Sequence, residues 1–450
     1  MQAFANQLKR LRLGDVAIRR NPLYYPAAQR TLETLDRAEL AARRDWTMQR
    51  LGEVLWSARK TPYGRTIAQA GDIKSWPLLE KSRVQPRPEY FCSIGKAVSI
   101  AATTGGTSGA PLRLWRSLGS IAFEQASIDH MMRKLGADPR DARAAVLRTE
   151  SIKDPNDFTP PYWISASAGQ RMVFSSGHLN AATLEAYAQA FSAFQPQVLL
   201  SYPTSLEALC VLLERAGRTL SIPRALCSSE VLHERVWELA AQRLGCSLLD
   251  YYGQAERVAF AYATQRASYR FLPGYAFVEF HPVSHEGEET TYEIVGTSLS
   301  NLAMPLIRYR TGDLIRLPSS WGNAQLEELA LGVRTFSGVM GRDSDILLTP
   351  EGVKITGISH FQRDLRTVRR IQVIQEALDH VRILVVPNEE FLRADRERLV
   401  HNARSKLPSS MRLDIEVVEA LERTALGKTP FVVHRPAIKQ LLRESRSRGT

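Results

Sequence analysis

The stretch from about residue 180 to 255 alternates between two hydrophobic patterns. Short apolar runs at 198–201, 225–229 and 247–252 are typical of buried strands. Between them, apolar residues recur at roughly the 3.6-residue spacing of one helix face, which predicts helices over 203–217 and 230–244. This strand–helix order predicts parallel strands joined by right-handed crossovers, with the polar residues that follow the strands gathered at one edge of the sheet.

The remainder of the chain follows other patterns. Residues 1–90 are expected to be helical and irregular, whereas alternation of apolar and polar residues over 270–335 predicts antiparallel strands. Further alternation over 371–385, a charged helix near 390–405 and a strand near 412–418 predict a small α+β unit at the end.

We therefore predict an α/β fold in two parts. A large N-terminal domain, residues 1–340, is expected to hold mainly parallel sheets flanked by helices, plus a smaller antiparallel part. A small, mobile α+β C-terminal domain is expected over 341–450, with the joint at 338–345. The length of 450 residues favours such a division, because single hydrophobic cores rarely extend that far.

Composition narrows the function classes. The net charge of +12 is compatible with nucleic acid, an anionic membrane or an anionic small molecule as partner. The basic residues are spread along the chain, which argues against nucleic-acid binding. The four cysteines lie far apart without a CxxC pair, so neither a zinc site nor a disulfide framework is expected. No apolar run reaches the length of a signal peptide core or a membrane span, and we expect a cytoplasmic protein without stable membrane insertion.

The strongest local signal is the segment from Thr103 to Pro111, which holds three glycines and four hydroxyl residues in nine positions. Glycines let backbone N–H groups approach a ligand closely, and hydroxyls add further donors, so the segment suits a polyphosphate. The ending of a Walker loop is missing. Taken alone, such a segment is at least as often an ordinary surface turn.

Four weaker segments carry groups that can act on a nucleotide. Tyr252–Glu256 follows a predicted strand and ends in a carboxylate that suits Mg²⁺. Asp313 follows Gly312 in what we expect to be a tight turn, where its carboxylate can accept hydrogen bonds from ribose hydroxyls. The stretch from Gly341 to Asp345 lies at the composition break, and Lys428 follows a glycine near the end. Each of these would be an ordinary solvated feature if it stood alone.

Together, in this order and spacing, the five segments resemble the adenylate-forming superfamily of acyl-CoA synthetases, aryl-CoA ligases and adenylation domains. The resemblance covers nearly the whole chain and is strongest to phenylacetate–coenzyme A ligase-like proteins, including the subgroup associated with capsular polysaccharide biosynthesis. Asn21–Tyr24 and Pro77–Lys81 also resemble the N-terminal region of that subgroup.

The resemblance implies a role for each matching position. Lys428, Glu256 and Thr104 would be catalytic, with Glu256 coordinating Mg²⁺ and Lys428 reaching the substrate carboxylate and the α-phosphate. Asp345 would be the hinge between the domains. The nucleotide would be bound by Thr104, Gly105, Gly106, Thr107, Ser108, Gly109, Ser229, Glu230, Tyr252, Gly253, Gln254, Ala255, Asp313 and Arg342.

Three departures from the family pattern bear on activity. Ala110 stands where many relatives carry lysine, and Arg113, the Mg²⁺ ion or backbone N–H groups are the available substitutes. Ala255 replaces the usual Thr or Ser before the glutamate, and Ser228–Glu230 replaces a glycine-containing segment. Because Lys428, Asp313 and Glu256 remain, we favour an active enzyme over a catalytically silent nucleotide-binding homologue.

The implied reaction is ATP- and Mg²⁺-dependent adenylation of a small-molecule carboxylic acid, followed by acyl transfer, with coenzyme A as the expected co-substrate. An amine, a hydroxyl or a carrier protein is the alternative acceptor, and a homodimer is compatible with the sequence. Tyr162, Trp163, His178 and Tyr202 are candidates for the acyl pocket, and core packing explains these rings equally well.

Overall fold

The computed structural model describes residues 15–93, 99–103, 112–149, 152, 157–342, 347–350, 354–355, 358, 361, 365, 367–387, 391–404, 407–423 and 429–447. The predicted residues Thr104–Ala110, Asp345 and Lys428 lie outside this described part of the chain, as does the side chain of Arg342.

The α-helices follow the amphipathic patterns of the sequence. They are α1 (Tyr25–Arg37), α2 (Leu40–Ala58), α3 (Lys81–Val84), α4 (Leu118–Lys134), α5 (Leu184–Phe194), α6 (Pro203–Arg215), α7 (Glu234–Leu244), α8 (Asn323–Ala330), α9 (Arg393–Arg404) and α10 (Pro436–Ser447).

Within the described ranges, the strands form three larger sheets and two short hairpins. They are β1 (Ile100–Thr103), β2 (Arg113–Arg116), β3 (Ala144–Thr149), β4 (Trp163–Ala166), β5 (Arg171–Ser175), β6 (Val198–Ser201), β7 (Arg224–Ser228), β8 (Ser247–Gly253), β9 (Phe260–Ala263), β10 (Arg270–Phe271), β11 (Ala276–Glu286), β12 (Glu289–Ser298), β13 (Tyr309–Pro318), β14 (Gly341–Arg342), β15 (Leu347–Leu348), β16 (Lys354–Ile355), β17 (Val368–Ala377), β18 (His380–Pro387), β19 (Arg412–Val417) and β20 (Val432–His434).

The main sheet has eight strands in the order β10-β9-β8-β7-β6-β3-β5-β4. The five central strands, β8-β7-β6-β3-β5, are parallel to their neighbours within this group. Antiparallel strands lie at both edges of the sheet. Successive residues of β6 pack into different cores, since Val198 and Leu200 belong to one hydrophobic cluster and Leu199 to another. Both faces of this strand are therefore buried, as the unbroken apolar run predicts. The α/β architecture is confirmed.

Two smaller sheets complete the fold. Strands β11 and β12 form a long antiparallel hairpin that turns at Gly287, which has a φ of 62°. Strands β13 and β14 continue that sheet. The C-terminal sheet has the order β19-β18-β17-β20, with β17 and β18 antiparallel. The antiparallel part and the α+β end match the sequence patterns.

The described residues divide into two compact units. The first comprises those up to Val339 apart from Gly312–Leu314, and the second comprises Gly312–Leu314 and those from Met340 onward. The second unit has its own core, which includes Ile371, Val381 and Leu399. The functional assignment of the predicted domains, 1–340 as the nucleotide- and acyl-binding part and 341–450 as a mobile lid, stays a prediction.

Two local predictions are wrong. The helix expected from residue 230 begins at Glu234, because Ser229 adopts a left-handed φ of 76° and the chain then runs without helical hydrogen bonds to His233. Asp313 lies within strand β13 and not in a tight turn, although Gly312 before it has a φ of 72°.

Candidate functional site

The carboxyl ends of the parallel strands place the predicted nucleotide residues of the first unit at one edge of the main sheet. The registers Leu199–Ala225 and Ala225–Leu248 align β6, β7 and β8. These strands end on the same side. Tyr202 follows β6, Ser228–Glu230 begins at the last residue of β7, and Tyr252–Glu256 begins at the last two residues of β8. In open α/β sheets this edge is where ligands bind.

The segment after β7 is held by the half-buried carboxylate of Glu230. Glu230 accepts a hydrogen bond at 3.1 Å from the backbone N–H of Thr204, in the first turn of α6. The positive end of the helix dipole favours a carboxylate there. The second oxygen of Glu230, Oε1, is buried and has no hydrogen-bond partner. Ser229 is exposed beside it. Glu230 thus binds the N-terminus of α6 through one carboxylate oxygen, and its other oxygen can accept a hydrogen bond from a ligand.

The segment after β8 is a turn stabilised by its own side chains. Gln254 donates from Nε2 to the Tyr252 hydroxyl at 3.3 Å and accepts the N–H of Ala259 at 3.4 Å. Glu256, which is half-buried, accepts a hydrogen bond at 3.0 Å from the hydroxyl of Tyr309 in β13. These contacts fix the position of the Glu256 carboxylate at the end of the sheet.

The described residues hold no cluster of three or more His, Cys, Asp or Glu side chains able to bind a metal by themselves. A nucleotide-linked Mg²⁺ does not need one, since it is commonly bound through one or two carboxylates together with substrate phosphates and water. Glu256, oriented by Tyr309, fits that requirement as a protein ligand.

A cation that sequence reasoning missed lies next to this carboxylate. Arg116, the last residue of β2, donates from Nη2 to the carbonyl oxygen of Ala255 at 2.6 Å. Burial, together with the like charge of Arg257, lowers the pKa of Arg116 to about 10. The sequence offered a weak signal, because β2 continues directly from the glycine-rich segment. We weighed only Arg113, which is exposed.

Asp313 and Arg342 lie opposite each other in the second unit. The antiparallel register of β13 and β14 pairs Asp313 with Arg342 and Leu314 with Gly341. Asp313 is buried, with 4% of its surface exposed. The pair brings two of the predicted nucleotide residues together through backbone pairing.

Two of the four acyl-pocket candidates are packed into the core. Tyr162 lies between the rings of Tyr187 and His178, with ring centroids 5.6 and 5.8 Å away. His178 is buried, and its Nδ1 lies 2.7 Å from the hydroxyl of Ser175. Core packing therefore accounts for Tyr162 and His178.

The other two candidates are more open. Trp163 is half-buried in β4, and Tyr202 precedes α6 at the carboxyl edge of the sheet. The guanidinium carbon of Arg148 lies 5.8 Å from the centre of the Tyr202 ring. Tyr202 is the candidate that lies nearest, along the sheet edge, to the segments after β7 and β8.

The residues that flank Lys428 are described although Lys428 is not. The buried side chain of Gln372 donates from Nε2 to the carbonyl oxygens of Glu422 at 2.9 Å and Pro430 at 2.8 Å. Its Oε1 accepts the N–H of Glu422 at 2.9 Å. One amide group thereby ties together the two ends of the segment that contains Lys428.

Comparison with known proteins finds similarity over most of the chain. The family model described as the CapK C-terminal domain matches residues 347–435. Protein CapK of Staphylococcus aureus is 19% identical over 381 residues, covering 82% of each chain. Phenylacetate-coenzyme A ligase of Thermus thermophilus is 22% identical over 385 residues, covering 79% of this chain and 80% of its own. The enzyme of the same name from Pseudomonas putida is 28% identical over 205 residues, which is 43% of each chain.

The fold is also that of a solved ligase. The structure of 2-hydroxyisobutyryl-CoA ligase in the postadenylation state, in complex with R3-HIB-AMP, matches with a TM-score of 0.58 at 16% identity, covering 89% of this chain and 91% of that one. In the part of this chain that the structure describes, no helix is long and apolar enough to cross a membrane.

Proposed function

We propose that this chain, which belongs to the adenylate-forming superfamily and within it to the phenylacetate–coenzyme A ligase-like proteins, is an AMP-forming acid–thiol ligase. It uses ATP and Mg²⁺ to convert a carboxylic acid into an acyl-AMP and then transfers the acyl group to coenzyme A. The observation that supports this most directly is the placement of Glu256, held by Tyr309 at the carboxyl end of the main sheet, next to the residue whose carbonyl oxygen accepts from Arg116.

The chemistry explains why such a site is needed. A carboxylate does not react with a thiol at neutral pH, because the leaving group would be oxide or hydroxide. In the first step an oxygen of the substrate carboxylate forms a bond to the α-phosphorus of ATP. The bond from that phosphorus to the β-phosphate oxygen breaks, and its electron pair leaves with pyrophosphate. In the second step the thiol sulfur attacks the acyl carbonyl, a proton is lost, and AMP leaves.

The residues of this chain act mainly by position and charge. Negative charge builds up on the phosphoryl oxygens in the first step, so fixed cations and N–H donors lower its barrier. A bound Mg²⁺ supplies part of that charge, and Glu256 is its proposed protein ligand. Thr104–Gly109 would donate to the phosphates, and Lys428 would approach the substrate carboxylate. These two roles rest on the sequence resemblance.

The acceptor is proposed as coenzyme A, since several of the similar proteins are coenzyme A ligases. The alternatives are a carrier protein, an amine or a hydroxyl. We also propose a cytoplasmic location, where ATP and coenzyme A are available as soluble co-substrates.

Pyrophosphate release across a panel of aromatic, fatty and amino acids tests the adenylation step. We expect release to depend on one class of acid and to fall by roughly 10²- to 10⁴-fold in Lys428→Ala, since a charge contact of this kind contributes about 3–5 kcal/mol. Lys439→Ala, which removes a lysine of α10, should keep wild-type activity. A wild-type protein that binds ATP but releases no pyrophosphate with any acid would be a silent homologue and would refute the proposal.

Addition of coenzyme A separates the acceptors. A thioester ligase should form AMP over many turnovers with coenzyme A present and little beyond one equivalent without it. If coenzyme A has no effect while a hydroxylamine trap releases AMP continuously, the acceptor is another nucleophile.

A further inference from the structure

We propose that Arg116 binds the α-phosphate of the nucleotide, and thereby supplies a positive charge at the point where the substrate carboxylate attacks. The inference rests on the proposed function, and it assigns a residue outside the family motifs to the reacting phosphate. The guanidinium of Arg116 lies against the carbonyl oxygen of Ala255, next to Glu256.

The first observation is that Arg116 is a half-buried cation without a carboxylate partner among the described residues. Among the described residues its single hydrogen bond goes to the Ala255 carbonyl, and no Asp or Glu oxygen lies within ion-pair distance. Removing a guanidinium from water costs free energy unless an anion or several hydrogen bonds replace the solvent. One neutral acceptor serves a half-buried side chain with five N–H donors, so the remaining donors are available to an anion.

The second observation is that the nearby carboxylate is already neutralised by a different arginine. Arg257 has a left-handed φ of 58°, donates to the carbonyl oxygen of Ser120 at 3.0 Å and lies 3.4 Å from Glu124. Glu124 also accepts a hydrogen bond from the Tyr275 hydroxyl. Glu124 is thus the partner of Arg257, and the charge of Arg116 stays available.

The third observation concerns which phosphate lies within reach. In the β1–β2 hairpin, Thr103 pairs with Arg113 at the end that leads into the glycine-rich segment, whereas Ile100 pairs with Arg116 at the other end. Three residue steps along a strand span about 10 Å. Arg113 is therefore placed for phosphates held by the glycine-rich segment. Arg116 lies at the other end of the hairpin, where its guanidinium can bind an anion next to Ala255 and Glu256.

A cation at this point meets a specific chemical requirement. The substrate carboxylate and the α-phosphate are both negatively charged and must come into bonding distance. At close range in a partly buried site their repulsion amounts to several kcal/mol unless a positive charge lies between or beside them. A guanidinium also matches the paired oxygens of a phosphate in shape. Arg116 offers both the charge and the remaining N–H groups.

Binding of adenosine, AMP and ATP, measured by calorimetry on the full chain, isolates the contact. The difference between adenosine and AMP reports the α-phosphate, and the difference between AMP and ATP reports the other two. We expect Arg116→Gln to weaken the binding of AMP and of ATP by the same factor, roughly 10- to 100-fold, or about 1.4–2.8 kcal/mol in binding free energy. Adenosine binding and the thermal unfolding temperature should stay unchanged. Arg116→Lys should recover part of the loss, since the charge is kept and the planar fork is not.

Matched variants show what would overturn the assignment. Arg37→Gln removes an exposed guanidinium at the end of α1 and should change nothing. If Arg116→Gln weakens the binding of ATP but not that of AMP, the residue contacts the terminal phosphates and not the α-phosphate. If the binding of adenosine, AMP and ATP weakens by the same factor, or if the unfolding temperature falls, Arg116 only supports the turn at Ala255.

These outcomes are separable from failure of the proposed function. A protein that binds AMP through Arg116 yet never releases pyrophosphate would refute the ligase activity and keep the phosphate contact. A protein with acid-dependent pyrophosphate release and an unaffected Arg116→Gln variant would refute only the contact.

Discussion

Individual buried groups at the edge of the main sheet carry unused hydrogen-bonding capacity. Arg148 Nε, Glu230 Oε1 and Asp250 Oδ1 are buried and have no hydrogen-bond partner. Most buried polar groups in proteins are paired, so unpaired groups at one edge of a sheet indicate a region that a ligand or water completes. Asp250 is a buried residue of the main sheet. Its other oxygen, Oδ2, accepts a hydrogen bond at 2.6 Å from the Tyr269 hydroxyl.

Asp250 gives the protein a measurable pH dependence. Burial raises the pKa of Asp250 from its ordinary value of 3.8 to about 7, although the Tyr269 hydrogen bond and the charge of Arg148 oppose the shift. The folded state therefore retains a proton that the unfolded state releases above pH 3.8. The contribution of Asp250 to the free energy of unfolding is full below that pH and is lost as the pH rises toward about 7, at up to about 1.4 kcal/mol per pH unit.

Comparison with Asp250→Asn isolates this contribution, because asparagine keeps an acceptor for Tyr269 and does not titrate. We expect the wild-type free energy of unfolding, minus that of the variant, to fall between pH 4 and pH 7 and to level off above it. Urea unfolding at several pH values measures the difference. A difference that stays flat or rises across this range would contradict the raised pKa.

At the scale of elements, the sequence predicted what depends on local periodicity. We could predict the strands near 198, 225 and 247 because a strand buried on both faces has an unbroken apolar run. Helix α6 could be predicted because its buried residues recur at the spacing of one helix face. The start of α7 could not be predicted, since it depends on Ser229 taking a left-handed conformation next to the half-buried Glu230. Arg116 was missed for the same reason: its role arises from contact with a turn 139 positions away.

The second sheet supports the candidate site through one glycine. A Cβ at Gly296 in β12 would lie 1.9 Å from the carbonyl oxygen of Val258, two residues after Glu256. Gly296→Ala must displace that backbone, so we expect a loss of roughly 1–3 kcal/mol in the free energy of unfolding, as in other overpacked sites. Pyrophosphate release should fall as well, because the displacement reaches the Glu256 turn.

The matched control is the same substitution where space is free. Gly52 lies in α2 with nothing within 4 Å of a built Cβ. Gly52→Ala should raise stability by about 0.5–1 kcal/mol, as alanine does in a helix interior, and leave activity unchanged. Equal effects of the two substitutions on unfolding and on activity would argue against close packing of β12 on the site.

For the whole molecule, the division into two units places the proposed groups in separate bodies. Glu256, Arg116 and Tyr202 belong to the first unit, whereas Asp313 and the ends of the Lys428 segment belong to the second. Each unit has a hydrophobic core of its own. Each of the two bodies is therefore held together by its own packing.

The hinge hypothesis gives the last prediction. The chain passes finally into the second unit after Val339, and Asp345, which lies outside the described residues, is the proposed pivot. Proline fixes φ near −65° and removes an N–H, so Asp345→Pro should block a backbone rotation that Asp345→Ala permits. We expect acid-dependent pyrophosphate release in a single turnover to persist in Asp345→Pro, while coenzyme A-dependent AMP formation falls by at least about 100-fold, as expected when a rate-determining movement is blocked. Rapid-quench measurement of both half-reactions on the two variants checks this. Equal loss of both half-reactions in Asp345→Pro would place the pivot elsewhere, since a residue that only permits the second arrangement cannot be required for the first.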